Sequence, residues 1–228
     1  MKSRKSDIPG NVTQVEIREY RQEGALIYFR VTECILDGQV VGQRAYDGDG
    51  NRRVETPLKN GKRHGREYIW DEEGALESVE PYVNGKLHGL AKQYNPKGKV
   101  IGTYRFVHGT GYDIWRHERD DGSIGISEIF TVFDGALNGF EWWLRDDQHS
   151  VSHERNWKQG KYHGIERMWN HKNTFRRGYP KYWIDGQKVS RRVYLKAAEK
   201  DETLSSYKES ENRPHREFPA DIEKLLSK

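Results

Sequence analysis

One turn returns throughout this chain: a polar residue, most often Asn or Asp, followed by Gly, usually with a second Gly four residues after the first. Asp37-Gly38, Asn60-Gly61, Asn84-Gly85, His108-Gly109, Asp134-Gly135, Gln159-Gly160 and Asp185-Gly186 are separated by 23, 24, 24, 26, 25 and 26 residues. A fixed period of this size marks a repeat architecture, in which a unit too small to bury its own core stacks on its neighbours. Such a chain is expected to be one continuous body that acts through a surface built from its units.

Within a unit, Asn60-Gly61-Lys62-Arg63-His64-Gly65 leads into Arg66 to Trp70, then a turn at Asp71-Glu72-Glu73-Gly74, then Ala75 to Val83 before Asn84-Gly85 begins again. Two short runs rich in β-branched and aromatic residues, each bounded by Gly, Asn or Asp, read as two strands and two turns. Connections this short exclude parallel crossovers, so consecutive strands must be antiparallel neighbours. Aromatic residues stand two positions before the turn at Tyr82, Phe106, Trp157 and Trp183. Stacked units would align these rings in rows, the expected core. The turn glycines such as Gly61 and Gly85, and the second glycines Gly42, Gly65, Gly89, Gly111, Gly139 and Gly164, are expected to be structural. A glycine within a strand costs stability unless it supplies a bulge, a positive φ or room for a neighbour. Here the expected neighbour is an aromatic ring of the adjacent strand.

Composition supports burial by a few large rings. Hydrophobic residues are 34% and charged residues 32%, but aromatics reach 12%, with 7 Trp and 13 Tyr, enough to separate the chain from the disordered class that its mean hydropathy of −1.03 suggests. Acidic and basic residues interleave, and the net charge is only +4, so nucleic acid is not an expected partner. Cys34 is the single cysteine, which leaves no internal disulfide and fits a reducing, cytoplasmic setting. Neither a secretory signal nor an apolar run of about 18 residues is present in the sequence.

The flanks differ from the repeats. Residues 1–11 read as a flexible basic N-terminus and residues 12–36 as a capping hairpin with Glu23-Gly24 at its turn. The repeat array covers 37–189. Residues 190–228 read as a helical and irregular C-terminal cap on the last open strand, with Ser190 as an N-cap, an apolar stripe from Val193, Tyr194, Ala197 and Ala198, and a second short helix from Pro219 to Leu226. In the middle, the Gly111–Gly139 spacing stretches to 28, and Asp146-Asp147-Gln148-His149-Ser150 replaces a Gly-containing turn. Protruding loops are expected there.

The unit Tyr82-Val83-Asn84-Gly85-Lys86-Leu87-His88-Gly89, followed by Tyr94 and Asn95-Pro96-Lys97-Gly98-Lys99, resembles the MORN repeat (membrane occupation and recognition nexus), particularly the bacterial variant of toxin–antitoxin antitoxins. The resemblance covers roughly residues 37–189 and is closest at Asn60 to Val83, Asn84 to Val107 and Gln159 to Ile184. It implies an all-β fold, an elongated single-layer antiparallel β-meander of about seven hairpin repeats with a short helical C-terminal cap. It also implies a binding or scaffolding role, without identifying a ligand.

Candidate chemistry is sparse. His64, His88 and His163 share one slot before the second glycine, but equivalent positions in stacked units lie about 10 Å apart, too far to share an ion. His149 and His153, with His117 or His171, lack Cys or clustered carboxylate support, so no metal and no cofactor are expected. Gly122-Ser123-Ile124-Gly125 is not a nucleophile elbow, no Walker loop is present, and the acids at 71–73 and 120–121 sit at turns. Trp115-Arg116, Trp142-Trp143 with Arg145, and Trp169 form an aromatic and basic set suited to anchoring an interface. Neighbours in a strand face opposite ways, so one of Trp142 and Trp143 should pack inward and the other outward. The leading expectation is a non-enzymatic module that binds a protein, a toxin for an antitoxin or immunity protein. A membrane-surface scaffold for acidic lipid, drawing on Arg176-Arg177, Arg191-Arg192 and Lys196, is the alternative. A hydrolase or nuclease site in the irregular middle ranks third.

Overall fold

In a computed structural model, which describes residues 6–21 and 28–226, all seven recurring turns have the backbone of a two-residue hairpin. Their first residues, from Asp37 to Asp185, take φ of 47° to 52°, and the glycines that follow take 71° to 87°. Two successive positive φ values define a type I′ turn, whose twist matches the strands it joins. Gly at the second position adopts this backbone without a Cβ clash.

The chain divides into two compact units, Met1–Gly109 and Thr110–Lys228. In the first unit, β1 (Thr13–Arg21), β2 (Tyr28–Leu36), β3 (Gln39–Tyr46), β4 (Arg52–Lys59), β5 (Lys62–Arg63), β6 (Gly65–Trp70), β7 (Leu76–Val83), β8 (Lys86–Leu87), β9 (Gly89–Tyr94) and β10 (Val100–Val107) follow in order. Chain neighbours pair antiparallel throughout. The N-terminal hairpin is β1–β2; its Glu23-Gly24 turn lies outside the described residues. The second unit continues with β11 (Thr110–Glu118), β12 (Ile124–Phe133), β13 (Ala136–Leu144), β14 (Val151–Lys158), β15 (Lys161–Tyr162), β16 (Gly164–Met168), β17 (Lys181–Ile184) and β18 (Gln187–Val189). These too pair antiparallel in order. Helices α1 (Arg191–Ala198) and α2 (Ala220–Leu226) follow. No helix among the described residues is long and apolar enough to cross a membrane.

Three strands are interrupted by one residue each, and those residues are His64, His88 and His163. Each histidine N–H donates to a carbonyl of the preceding strand, at Pro57, Pro81 and Asn156. Each Nδ1 accepts from the first backbone N–H of the next turn: Asn84 at 3.4 Å, His108 at 3.1 Å and Asp185 at 3.2 Å. Thr110 Oγ1 and Asn138 Oδ1 fill the same slot and bind the N–H groups of Asp134 and Gln159, both at 3.2 Å. The slot therefore holds a side-chain acceptor that ties one turn to the next, which accounts for the histidine row.

The second glycines are structural, but not for the packing expected. Gly65, Gly89, Gly139 and Gly164 stand opposite Tyr82, Phe106, Trp157 and Trp183 in register, yet the space a Cβ would take is filled from the other side. Pro57, Pro81 and Thr131 would meet it at 3.0, 3.1 and 3.2 Å, and at Gly164 the Cβ of Asn156 would collide with it. Gly164 also has φ of +140°. Gly164→Ala is expected to lower stability by about 2 kcal/mol, from crowding and backbone strain together. Urea denaturation checks this; a cost indistinguishable from that of an exposed Gly→Ala control would remove the assignment.

The middle of the chain does not protrude. Extra residues are absorbed into the longer β11 and β12 and their bulge, and Gln148 supplies the left-handed residue of its turn, at φ 57°. Its side chain reaches back to the backbone of Ile126. The N-terminus is likewise bound from Ser6 onward. Ser6 hydroxyl meets Glu55, Asp7 takes Arg66 at 2.6 Å, and the buried Ile8 side chain occupies the space above Gly42. Ser190 caps α1 as expected, accepting from Val193 N–H. Val193 itself is exposed, while Tyr194 is buried against Tyr182, Ile165 and Leu204. Helix α1 thus packs on β16 to β18, the last strands of the array, and the segment after it lies over a face of the second unit.

Candidate functional site

Register assigns every side chain of the second unit to one of two faces. Ile114, Ile129, Trp142, Glu154 and Arg167 are opposed in turn across β11 to β16, and so share one face. Trp115, Glu128, Trp143 and His153 share the other, with Phe130, Glu141 and Arg155 beside them. The expected alternation of Trp142 and Trp143 is thus present.

The Trp142 face is covered by the chain's own C-terminal segment. Phe218 packs edge-on against Trp142 at 5.4 Å, and the Trp169 indole donates to the Asn212 carbonyl at 2.8 Å. Arg216 lies over Trp169, 4.9 Å from its ring. Trp142 is 5% exposed and Trp169 2%, so neither is the outward anchor expected of it. Arg145 is taken up by the neighbouring turn, donating to Asn173 at 2.5 Å and to the Asn170 carbonyl at 2.9 Å. Arg116 is half-buried. Only Trp115 and Trp143 of the expected set come together on the other face.

That other face carries a repeated chemical unit. Trp157 indole donates to Glu141 at 2.5 Å and Trp183 to Glu166 at 3.0 Å, and Trp143 stands directly opposite Glu128 in register. In each case the tryptophan stands on the strand that follows the glutamate's own in pairing order. Trp157 and Trp183 are accordingly half-exposed, not core, unlike Tyr82 and Phe106, which are buried as expected. Arg155 lies between rings, 4.8 Å from Trp143 and 5.3 Å from Tyr162. His153 stacks on Trp143 at 4.5 Å. His149 instead neighbours His215 of the C-terminal segment, so these two histidines share no site.

Cation supply differs sharply among the three glutamates. Glu166 has His153 at 3.1 Å, Arg155 at 3.3 Å and Lys181 at 3.6 Å. Burial works to raise its carboxyl, but the His153 and Trp183 hydrogen bonds with the Lys181 and Arg155 charges hold it down at about 2. Among the described residues Glu141 has one ion-pair partner, Arg155 at 4.0 Å; burial pushes its carboxyl up despite the Trp157 bond. Burial likewise raises Glu128, opposed only by Trp143.

Arg155, Tyr162 and the glutamates were missed from the sequence. A signal existed for two of them: Glu141 and Glu166, like Glu67, stand two residues after a second glycine. No family model matches the sequence, and no curated protein matches it.

Proposed function

We propose that this chain is a non-enzymatic protein-binding module, an antitoxin or immunity-type protein that occludes a toxin through the Trp143 face of its second unit. One observation carries the reading: half-buried Trp115, Trp143, Trp157, Tyr162 and Trp183, with Arg155, share the face opposite the C-terminal segment. Trp, Tyr and Arg are the residue types that dominate interface energetics, because they bury large areas with few rotors. Glu128, Glu141 and Glu166 on the same face disfavour anionic lipid and nucleic acid as its ligand. The resemblance to antitoxin MORN repeats supplies the partner class.

Co-expression with a toxin-like protein encoded beside this chain tests the reading. Growth should be rescued, and Trp115→Ala/Trp143→Ala should abolish rescue while the circular dichroism of the protein stays unchanged. Rescue undiminished in the folded double variant would reject the face, and failure of rescue by the unaltered chain would reject the partner class.

A further inference from the structure

The three indole–carboxylate pairs are copies of one device, and the copy around Glu166 displays its complete form. There a carboxylate takes an indole N–H and also cationic partners, one of which, Arg155, is held against aromatic rings. At Glu141 the only ion-pair partner among the described residues stands at the outer limit, 4.0 Å. Glu128 faces Trp143 in register and has no ion pair among the described residues. Trp115 and Trp143 oppose it from the strands on either side, and Phe130 meets Trp143 edge-on at 6.1 Å. A half-buried carboxylate set among aromatic side chains and lacking a counter-charge favours a guanidinium or ammonium group, by charge and hydrogen bonding together.

We infer that the Glu128 copy receives a basic side chain, arginine or lysine, from the protein partner, completing there the arrangement that Arg155 and Lys181 complete at Glu166. This rests on the protein-binding reading of the same face and adds the charge of the partner's contact. The direction of the carboxyl shifts agrees: down at Glu166, with Arg155 and Lys181 close by, and up at Glu128 and at Glu141, whose Arg155 is more distant.

The experiment uses the full chain, with its indole N–H resonances followed by NMR while N-acetylarginine amide is added, and neutral N-acetylcitrulline amide as the control. The Trp143 indole signal is expected to shift saturably with the arginine compound alone, with Trp183 unmoved. Glu128→Gln should weaken that binding about tenfold or more. Trp157 and Trp183 resonances at their original positions would certify its fold; if they move, the contrast between the two compounds in the unaltered chain decides. Equal responses to both compounds, no response, or an unchanged titration in the folded variant would overturn the site.

No partner is needed for this titration, so its result is separable from the co-expression result. Arginine binding without growth rescue would keep the cation site and remove the toxin reading. Rescue that survives Glu128→Gln would remove the basic contact while keeping the partner.

Discussion

Replacing Glu166 by glutamine is expected to cost about 3 kcal/mol of stability at neutral pH, and almost none near pH 2. The carboxylate is 4% exposed and serves His153, Arg155, Lys181 and the Trp183 indole. Its folded value is about 2 against an ordinary 4.5. A carboxyl whose folded value is depressed contributes stability that is fully present above its unfolded value, and loses it as pH falls from about 4.5 to about 2. The size of that shift corresponds to about 3 kcal/mol. Glu141 and Glu128 act in the opposite sense, since burial raises both; protonating them as pH falls relieves a cost. Because both remain in the variant, the difference between the two proteins reads Glu166 together with its coupling to Glu141. Urea denaturation at pH 7 and near pH 2.5 makes the comparison. A deficit of equal size at both pH values would mean that glutamine fails by packing, and that the charge network contributes nothing measurable.

The backbone was legible because its information is local. A type I′ turn needs two left-handed residues in succession, few residue pairs supply them, and the spacing of seven such pairs sets strand lengths and pairing order together. Gln159 and His108 are unusual first residues, yet the glycine after each and the regular interval identify the turn. Face assignment was half legible. Alternation separates Trp142 from Trp143, but it does not say which side a distant segment will cover. That choice depends on Phe218, Asn212 and Arg216, forty or more residues from Trp169 or Trp142 and within a polar stretch of no periodicity. The same limit hid the room beside the second glycines, which belongs to Pro57, Pro81, Thr131 and Asn156 on one neighbouring strand, while the ring in register belongs to the other. The indole–carboxylate pairs were hidden for a different reason. Trp157 and Trp183 stand opposite Gly139 and Gly164, and each indole reaches diagonally to the glutamate two residues along the neighbouring strand, a reach that alternation alone does not specify.

Glu154→Ala is expected to release the C-terminal segment before the rest of the chain unfolds, with a total loss of about 3–5 kcal/mol. Glu154 is 1% exposed and carries two arginines: Arg167 at 2.5 Å, and Arg216 at 2.7 and 2.8 Å. Removing it leaves both without their shared counter-charge, and they respond differently. Arg167 belongs to β16, is itself 2% exposed, and keeps Glu211 at 2.9 Å. Arg216 belongs to the irregular segment and can regain water if that segment lifts, giving up its contact over Trp169 and the Phe218–Trp142 packing nearby. Lifting also removes Glu211 from Arg167, so the segment has two opposing demands. The backbone hydrogen bonds of Val151 to Pro214 and of Arg216 to His149, at 3.0 Å each, are too few to hold it against loss of the ion pair. Amide exchange over residues 205–226 should therefore accelerate in the variant while β12 to β14 remain protected, and tryptophan emission should shift to the red as Trp142 and Trp169 meet water. Arg216→Ala should give the same opening with a smaller loss, because Glu154 and Arg167 still neutralise each other. If exchange in the segment rises no earlier than in the strands, the segment is an integral part of the unit's fold and not a separable cover over the two tryptophans.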